Sequence, residues 1–493
     1  MTSPPEGFHV LPELSRQRRY LVLAICCLSL FIVGLDATIV NVALPDIGRD
    51  FHPSVSGLQW TIDAYTLVLA ALLMLSGSTA DRLGRRRVFQ VGLALFTIGS
   101  LLCSLAPGLG WLVAFRMLQA VGGSMLNPVA MSIITNTFTE PSERARAIGV
   151  WGGVFGLSMA MGPVVGGALV DSVGWRGVFW VNIPVGIAAI LLTALFVPES
   201  RAARARRPDP IGQILIIAML GSLTYGIIEG PSYGWASARI LAFFAVTAVA
   251  AIGLLLYERR RDEPLIDMRF FRSLPFSGAT LTAVSAMAAL GGFLFLTTLY
   301  LQDVRGYRPL SAGLFLLPMA AALAAGAPLA GRMLARSGAR TPLLIAGAGI
   351  TAAGILLSHL TNSSAPGYLV VAFLVFGIGM GFVNAPITNS AVSGMPRSQA
   401  GVASGIASTS RQVGSSLGVA VMGSVLAANL HGSMQAGFAA ATRPGWWIVV
   451  AAGGVVITLA LITTSRSGKA SAERTATLVA RAEERIPVPS AAG

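Results

Sequence analysis

One carboxylate, Asp36, stands inside an apolar run, LDATIVNVALP from Leu35 to Pro45, and the stretch from Tyr20 to Gly34 before it carries no charge. A carboxylate near the middle of a membrane-spanning helix costs roughly 2.5–3.5 kcal/mol on insertion scales, so something must hold it there or use it. Two chemistries fit. A carboxyl in a low dielectric can take up and release a proton within one working cycle. Alternatively, a neighbouring arginine keeps it ionised for packing alone. Arg116 supplies such a neighbour, in a run that also holds Gln119, Gly122 and Gly123. If the first and fourth helices run in opposite senses, Asp36 and Arg116 both fall just outside mid-depth, where an ion pair can form. That pair is either a static packing link or one that an arriving substrate, or a movement of the helices, disturbs.

The elements that must position these residues follow from composition. The chain has 493 residues, is 54% hydrophobic and 11% charged, and has a mean hydropathy of +0.72, values of an integral membrane protein. Apolar runs of about twenty residues recur from end to end, about fourteen in all, each long enough for one helical crossing. The net charge of +14 comes from short arginine clusters between those runs rather than from one soluble face, which argues for membrane topology and against nucleic acid. The only lysine, Lys469, is followed by Ala470, so no phosphate-cradling GK[ST] loop exists and no ATP site is expected in this chain. His9, His52, His359 and His431 are too scattered for a zinc motif, and no nucleophile stands beside a base. Neither an enzyme nor a metal or cofactor site is expected. Cys26, Cys27 and Cys103 lie within apolar runs and predict no structural disulfide.

The runs predict helix 1 over 20–44, then helices over 57–78, 88–106, 109–134, 145–170 and 178–197. Two more follow at 211–230 and 238–257, and six at 275–301, 311–334, 342–361, 367–392, 400–429 and 446–465. The expected organisation is an all-α membrane protein. A cytoplasmic tail (1–19) leads into a six-helix bundle (20–200), then basic connectors with two extra helices (201–272). A second six-helix bundle (273–466) and a disordered cytoplasmic tail (467–493) follow. Most of the Lys and Arg residues fall on the tails and on alternate loops. The other loops hold only Arg49, Arg176, Arg239, Arg305, Arg308 and Arg443, and Arg116 and Arg411 lie inside helices. The positive-inside rule therefore puts both termini in the cytoplasm.

The chain also resembles itself. Gly77, Asp81-Arg82, Gly84 and Arg86 align with Gly331, Ala335-Arg336, Gly338 and Arg340. Gly149, Gly162 and Gly166 align with Gly405, Gly418 and Met422 at nearly the same separation. Two bundles related by duplication fit this, with a substrate site between them near mid-membrane.

Other residues have chemistry of their own. Helix 5 carries Gly149, Gly153, Gly156, Gly162-Pro163 and Gly166-Gly167; small residues let backbones approach, and an internal proline bends a helix. The loop from Gly77 to Arg87 holds Asp81, Arg82, Gly84, Arg85 and Arg86, more than a basic loop needs, and predicts a tight turn with an acid able to cap a helix. Asp63 and Glu229 are expected toward the outer ends of their helices, either hydrated or lining a cation-attracting vestibule. Arg411 lies deeper and either binds an anionic part of a substrate or pairs with carbonyls. Trp60, Tyr65, Trp151 and Phe155 either line an apolar cavity or pack.

Gly77 to Phe89 resembles the signature loop of the major facilitator superfamily. Arg116 to Gly123 resembles its helix-4 motif, and Gly149 to Gly167 the antiporter motif of its drug exporters. The helix-1 run with Asp36, Trp175-Arg176 followed by Asn182-Ile-Pro184, and Tyr300-Leu-Gln302 followed by Gly306-Tyr307 and Ala312-Gly313 resemble the fourteen-helix drug:proton antiporters. So does Arg411-Gln412-Val-Gly414-Ser-Ser-Leu-Gly418, and Trp60 to Leu69 is similar to the quaternary-ammonium exporters of that family. Thr79, Ala120 and Ser158 depart from the usual Leu, Gly and Gly, and helices 10 and 13 hold no carboxylate.

The resemblance implies a major facilitator fold in a bacterial cytoplasmic (inner) membrane. It implies a proton-coupled antiporter exporting a small lipophilic compound by alternating access, with lipid bilayer, substrate and protons as its partners and a monomer as the expected state. By that analogy Asp36 is the proton site and Arg116 its partner. Gly77, Asp81, Arg82, Gly84, Arg85 and Arg86 form a cytoplasmic gate, and Gly149, Gly162, Pro163, Gly166 and Gly167 carry the bend that lets the bundles rock. Asn41, Trp60, Asp63, Tyr65, Gln119, Trp151, Phe155, Glu229, Gln302 and Arg411 are the candidates for the substrate cavity. An exporter dedicated to one natural product is the alternative, and a non-transporting sensor on the same fold a more distant one.

Overall fold

The computed structural model describes residues 15–202, 209–261, 264–393, 395 and 399–484. The first bundle is α1 (Arg16–Phe51), α2 (Val55–Leu83), α3 (Arg85–Ser104), α4 (Leu109–Thr137), α5 (Pro141–Val173) and α6 (Gly177–Phe196). A hairpin of α7 (Pro210–Tyr233) and α8 (Ala238–Glu258) follows. The second bundle is α9 (Leu274–Val304), α10 (Pro309–Ser337), α11 (Arg340–Ser358), α12 (Pro366–Val392), α13 (Ala400–Asn429) and α14 (Met434–Thr463). Among the described residues every element is helical.

The duplication is visible in the packing. In the first bundle α1 packs on α5, α2 on α4 and α3 on α6; in the second α9 packs on α13, α10 on α12 and α11 on α14. Glycines make the equivalent close approaches. Gly162 and Gly166 of α5 lie against Thr38 and Ile39 of α1, and Gly414 and Gly418 of α13 lie against the backbone of Val284 and Ala288 of α9.

Thirteen helices among the described residues are long and apolar enough to cross a membrane. The remaining one, α13, spans 30 residues but is too polar through Ser408-Thr-Ser-Arg411-Gln412 and Ser415-Ser416 to register as apolar. It packs against α9, α2, α7 and α14, and contacts with protein take the place of contacts with lipid.

Two boundaries differ from the sequence expectation. α14 begins at Met434 rather than 446, because Ser433 caps it by accepting from the Ala436 N–H, and Arg443 becomes an exposed helical residue. A fifteenth helix, α15 (Arg466–Glu484), occupies most of the tail expected to be disordered from 467. Its small face, with Gly468, Ser471, Ala472, Thr475 and Val479 buried, packs on the start of α9, where Ser471 Oγ accepts from the Leu274 N–H at 3.0 Å. The expected tail residues 1–14 and 485–493, and connector residues 203–208 and 262–263, lie outside the described residues.

Candidate functional site: a buried ion pair between α1 and α4

Arg116 Nη1 donates to Asp36 Oδ2 at 2.7 Å, with both side chains essentially inaccessible. The other carboxylate oxygen accepts from Gln119 Nε2 at 2.9 Å and Asn182 Nδ2 at 3.2 Å. Ser100 Oγ ties the two amides together, accepting from Gln119 at 2.6 Å and Asn182 at 3.2 Å. Side chains from four helices thus form one network around the carboxylate, which itself accepts from α4 and α6. A buried charge is tolerated only when paired and hydrogen-bonded, and Asp36 is both.

Arg116 has further partners. Its Nη1 donates to Gln119 Oε1 at 2.6 Å and its Nε to the Thr61 carbonyl at 3.3 Å, and its guanidinium lies 4.1 Å from the centre of the Tyr65 ring. Close helix packing makes the network possible. A Cβ on Gly99 would fall 2.6 Å from Gln119 Cα, and one on Gly122 would run into the Phe96 amide nitrogen and the Gly92 carbonyl oxygen. Those two glycines bring α3 near enough for Ser100 to reach Gln119.

The α1–α5 contact continues from this site. Pro163 has no N–H to offer the Met159 carbonyl four residues back, and Thr38 Oγ1 donates to that carbonyl at 3.1 Å.

The loop between α2 and α3 is held by the end of α6. Asp81 Oδ1 accepts from Arg85 Nε at 3.1 Å and Nη2 at 2.8 Å. Arg86 Nη2 donates to the Ala194 carbonyl at 2.6 Å, and the Arg86 N–H to Glu199 Oε1 at 3.1 Å. The backbone of 199–202 lies alongside, with the Arg85 N–H donating to the Ser200 carbonyl at 2.9 Å and the Ala202 N–H to the Asp81 carbonyl at 3.1 Å. Gly84 has φ +112°, and a Cβ there would fall 2.7 Å from Glu199 Oε1. Gly77 lies beside Pro128, and Arg82 is exposed.

The two bundles meet at the end opposite the termini and part at the arginine-rich end. Gln302 Nε2 donates to the Val42 carbonyl at 2.8 Å, Gln59 Nε2 to the carbonyls of Val419 and Ala420 at 3.1 and 2.7 Å, and the Leu310 N–H to Asp171 Oδ2 at 3.1 Å. Gly167 of α5 and Gly313 of α10 lie against each other's helix. In the arginine-rich half, Gly149, Gly152, Gly153 and Gly156 of α5, Gly331 of α10 and Gly405 of α13 have nothing within 4 Å of a would-be Cβ. The structure is open at the arginine-rich end. In that half, α1 residues from Tyr20 to Phe31 with Val150 and Val154 of α5 line an apolar groove of about 460 Å³.

Several cavity candidates have other employment. Gln119 and Tyr65 belong to the Asp36–Arg116 network, and Gln302 joins the bundles. Asn41 Nδ2 donates to the carbonyls of Ala37 and Thr38 on its own helix. Glu229 Oε1 accepts from Trp60 Nε1 at 2.9 Å, linking α7 to α2. Asp63 is fully buried rather than hydrated near a helix end, because α13 covers it: it faces Ser416 and accepts from Thr66 Oγ1 at 3.3 Å, while its Oδ2 has no partner. Trp151, Phe155 and Arg411 are half-buried; Phe155 lies against Gly34, and among the described residues Arg411 hydrogen-bonds the Ser408 and Thr388 hydroxyls. Sequence reasoning missed Ser100, Gln59, Asp171, Glu199 and the role of Asn182. A polar side chain inside an apolar run was the available signal for Ser100 and Gln59.

Three comparisons bear on this arrangement. The family model described as Major Facilitator Superfamily matches residues 26–419. Multidrug resistance protein Stp of Mycobacterium tuberculosis is 40% identical over 408 residues, covering 83% of this chain and 76% of that protein. The Tetracenomycin C resistance and export protein of Streptomyces glaucescens is 37% identical, covering 87% and 80%. Puromycin resistance protein pur8 of Streptomyces alboniger is 35% identical, covering 90% of each chain. A solved bacterial homolog to the human lysosomal transporter Spinster, in an inward-facing and unoccupied conformation, superposes with a TM-score of 0.62 at 20% identity over 94% of this chain and 99% of that one, a likeness of fold.

Proposed function

The chain belongs to the major facilitator superfamily, and we propose that it works as a proton-coupled antiporter exporting lipophilic drugs or antibiotics across the cytoplasmic membrane by alternating access. It is a multi-pass membrane transporter and not an enzyme. Both termini and the arginine-rich end face the cytoplasm in this reading, on the strength of the charge asymmetry.

The observation that carries the coupling is the sealed Asp36–Arg116 pair. Neutralising Asp36 breaks one charge-assisted bond, yet Arg116 still has Gln119 Oε1, the Thr61 carbonyl and the Tyr65 ring. Protonation would leave Arg116 buried on neutral acceptors and a ring without its counter-charge, and that cost is what would drive the helices to rearrange. α1 transmits the change, since it is bonded to α5 through Thr38 and to α9 through the Val42 carbonyl. Loading of the proton and closure of the cytoplasmic gap are in this way mechanically linked.

The test is drug-dependent proton movement in liposomes containing the purified protein. A gradient-driven drug flux that vanishes in Asp36→Asn supports the reading. Export undiminished after the pH gradient and potential are collapsed overturns it. The names of the Streptomyces relatives, resistance proteins for tetracenomycin C and puromycin, favour a second reading in which the substrate is a single natural product.

A further inference from the structure

We infer that Arg411 selects the exported compound by charge, and that the preferred substrate is a lipophilic organic anion bearing a carboxylate or phenolate. This rests on the export reading above and names the class of its substrate.

Arg411 lies near the middle of α13, where a guanidinium needs a counter-charge or a full set of acceptors. It has neither. Nη2 donates to Ser408 Oγ at 3.1 Å, and Nη1 reaches Thr388 Oγ1 only at 3.5 Å. The Thr388 hydroxyl is itself spent on the Asn384 carbonyl at 3.1 Å. No ion pair involves Arg411 among the described residues.

The chain cannot readily supply the missing charge. From Leu274 to Thr463 the sequence holds one acid, Asp303, at the far end of α9. Asp36 is committed to Arg116. Asp63 faces Ser416, five positions along the helix, or roughly 7–8 Å at the α-helical rise. By contrast Arg411 is partly buried, and one of its two hydroxyl partners, Thr388, is exposed.

A planar guanidinium with unused parallel donors matches an oxyanion bidentately and is weakly hydrated, which suits a partner that sheds water. Exchanging one such anion, which leaves, for one proton, which enters, transfers a net two positive charges inward, so the inside-negative potential assists both movements.

The chemistry of an oxyanion on an apolar body is shared by drugs and by anionic lipids, and a binding assay separates them. Purified protein in detergent is titrated with fluorescein methyl ester, a monoanionic xanthene, and with the cationic rhodamine ester on the same ring skeleton, read by fluorescence anisotropy. No gradient is needed, so a failure of proton coupling leaves this measurement untouched. Arg411→Gln is expected to weaken the anion roughly ten- to hundredfold and leave the cation unchanged or tighter, with Arg411→Lys in between. Equal anion binding by wild type and a folded Arg411→Gln protein overturns the inference. So does loss of the Arg411 dependence when one phosphatidylglycerol per protein is added, which assigns the arginine to lipid.

Discussion

Thr38 Oγ1 donates to the Met159 carbonyl at 3.1 Å, filling the bond that Pro163 leaves open in α5. A carbonyl left without its helical donor is thereby satisfied by the helix that carries Asp36, two residues earlier. Thr38→Val, which keeps the shape and removes the hydroxyl, should destabilise the protein by about 1 kcal/mol. Gly162→Ala should be worse, because its Cβ would fall 2.9 Å from Thr38 Cβ and collide with Oγ1. Thermal unfolding in detergent checks the order, and a Gly162→Ala protein as stable as wild type would contradict the contact.

At the ion pair, Asp36→Asn should fold normally and lose proton-driven export, since the amide imitates the neutral acid but cannot cycle. Arg116→Ala should lower transport more than Arg116→Lys, which preserves charge at the cost of geometry. Equal losses in the two arginine variants would assign Arg116 a shape-dependent role, with Gln119, Thr61 and Asp36 all requiring the planar group. Drug flux at a fixed pH gradient, normalised to folded protein, distinguishes these outcomes.

Two glutamines hold the bundles together at the end opposite the termini, Gln59 on Val419 and Ala420 and Gln302 on Val42. Removing both in a Gln59→Ala, Gln302→Ala protein takes away bonds worth about 1 kcal/mol each from this state only. The population open at the arginine-rich end should fall by roughly tenfold or more. Spin labels at the exposed positions 82 and 336 would report this as a shorter distance between the arginine-rich ends of the bundles, and an unchanged distance distribution would refute it.

Gly84 combines a positive φ with a neighbouring carboxylate. Gly84→Ala should cost about 1–3 kcal/mol through backbone strain, and should also displace Glu199 from the Arg86 amide. Glu199→Gln should loosen the loop far less, because its oxygen can still accept from that amide. Hydrogen exchange at residues 81–87 tests both, with protection in Gly84→Ala no lower than in Glu199→Gln as the contrary result.

Glu140 sits before α5, where its carboxylate accepts from the backbone N–H groups of Ser142 and Glu143. The Ser142 hydroxyl, which also donates to it, and those two backbone bonds hold its pKa below the ordinary glutamate value. A lowered folded value means the cap is present above that range and is lost as the pH falls through it. Protection factors of the amides in the first turn of α5, corrected for the intrinsic exchange rate at each pH, should therefore fall on acidification below about pH 4, and Glu140→Gln should flatten that dependence.

The spans were legible because hydropathy fixes which segments cross a membrane, and the depth of Asp36 and Arg116 followed from the antiparallel order of the helices. Rotation about each helix axis was not legible. In a bilayer both the lipid-facing and the packed sides of a helix are apolar, so nothing in the α2 sequence said that Asp63 would be covered by α13 or that Gln59 would reach across to it. The partners of the loop were hidden for another reason: Glu199 lies more than a hundred residues from Arg86, and a single acid in a basic connector carries no spacing pattern. α15 was missed because its amphipathic face is built from Gly, Ser, Ala and Thr rather than large apolar residues.

The position of α7 has a consequence for how a membrane-dissolved compound reaches the interior. Gln213 Nε2 bonds the Ala71 carbonyl of α2 at 2.6 Å, Ser424 Oγ of α13 bonds the Ile227 carbonyl at 2.6 Å, and Ile216 and Leu220 pack with Ala70 and Val413 between them. The inserted hairpin thus lies along the α2–α13 seam over most of its length and shuts that flank against the acyl chains. The other flank has no such cover: α5 presents Gly149, Gly152 and Gly153 with nothing beside them. The two extra helices thus make the flanks of an otherwise paired fold unequal, one covered by α7 and one, along α5, without that cover.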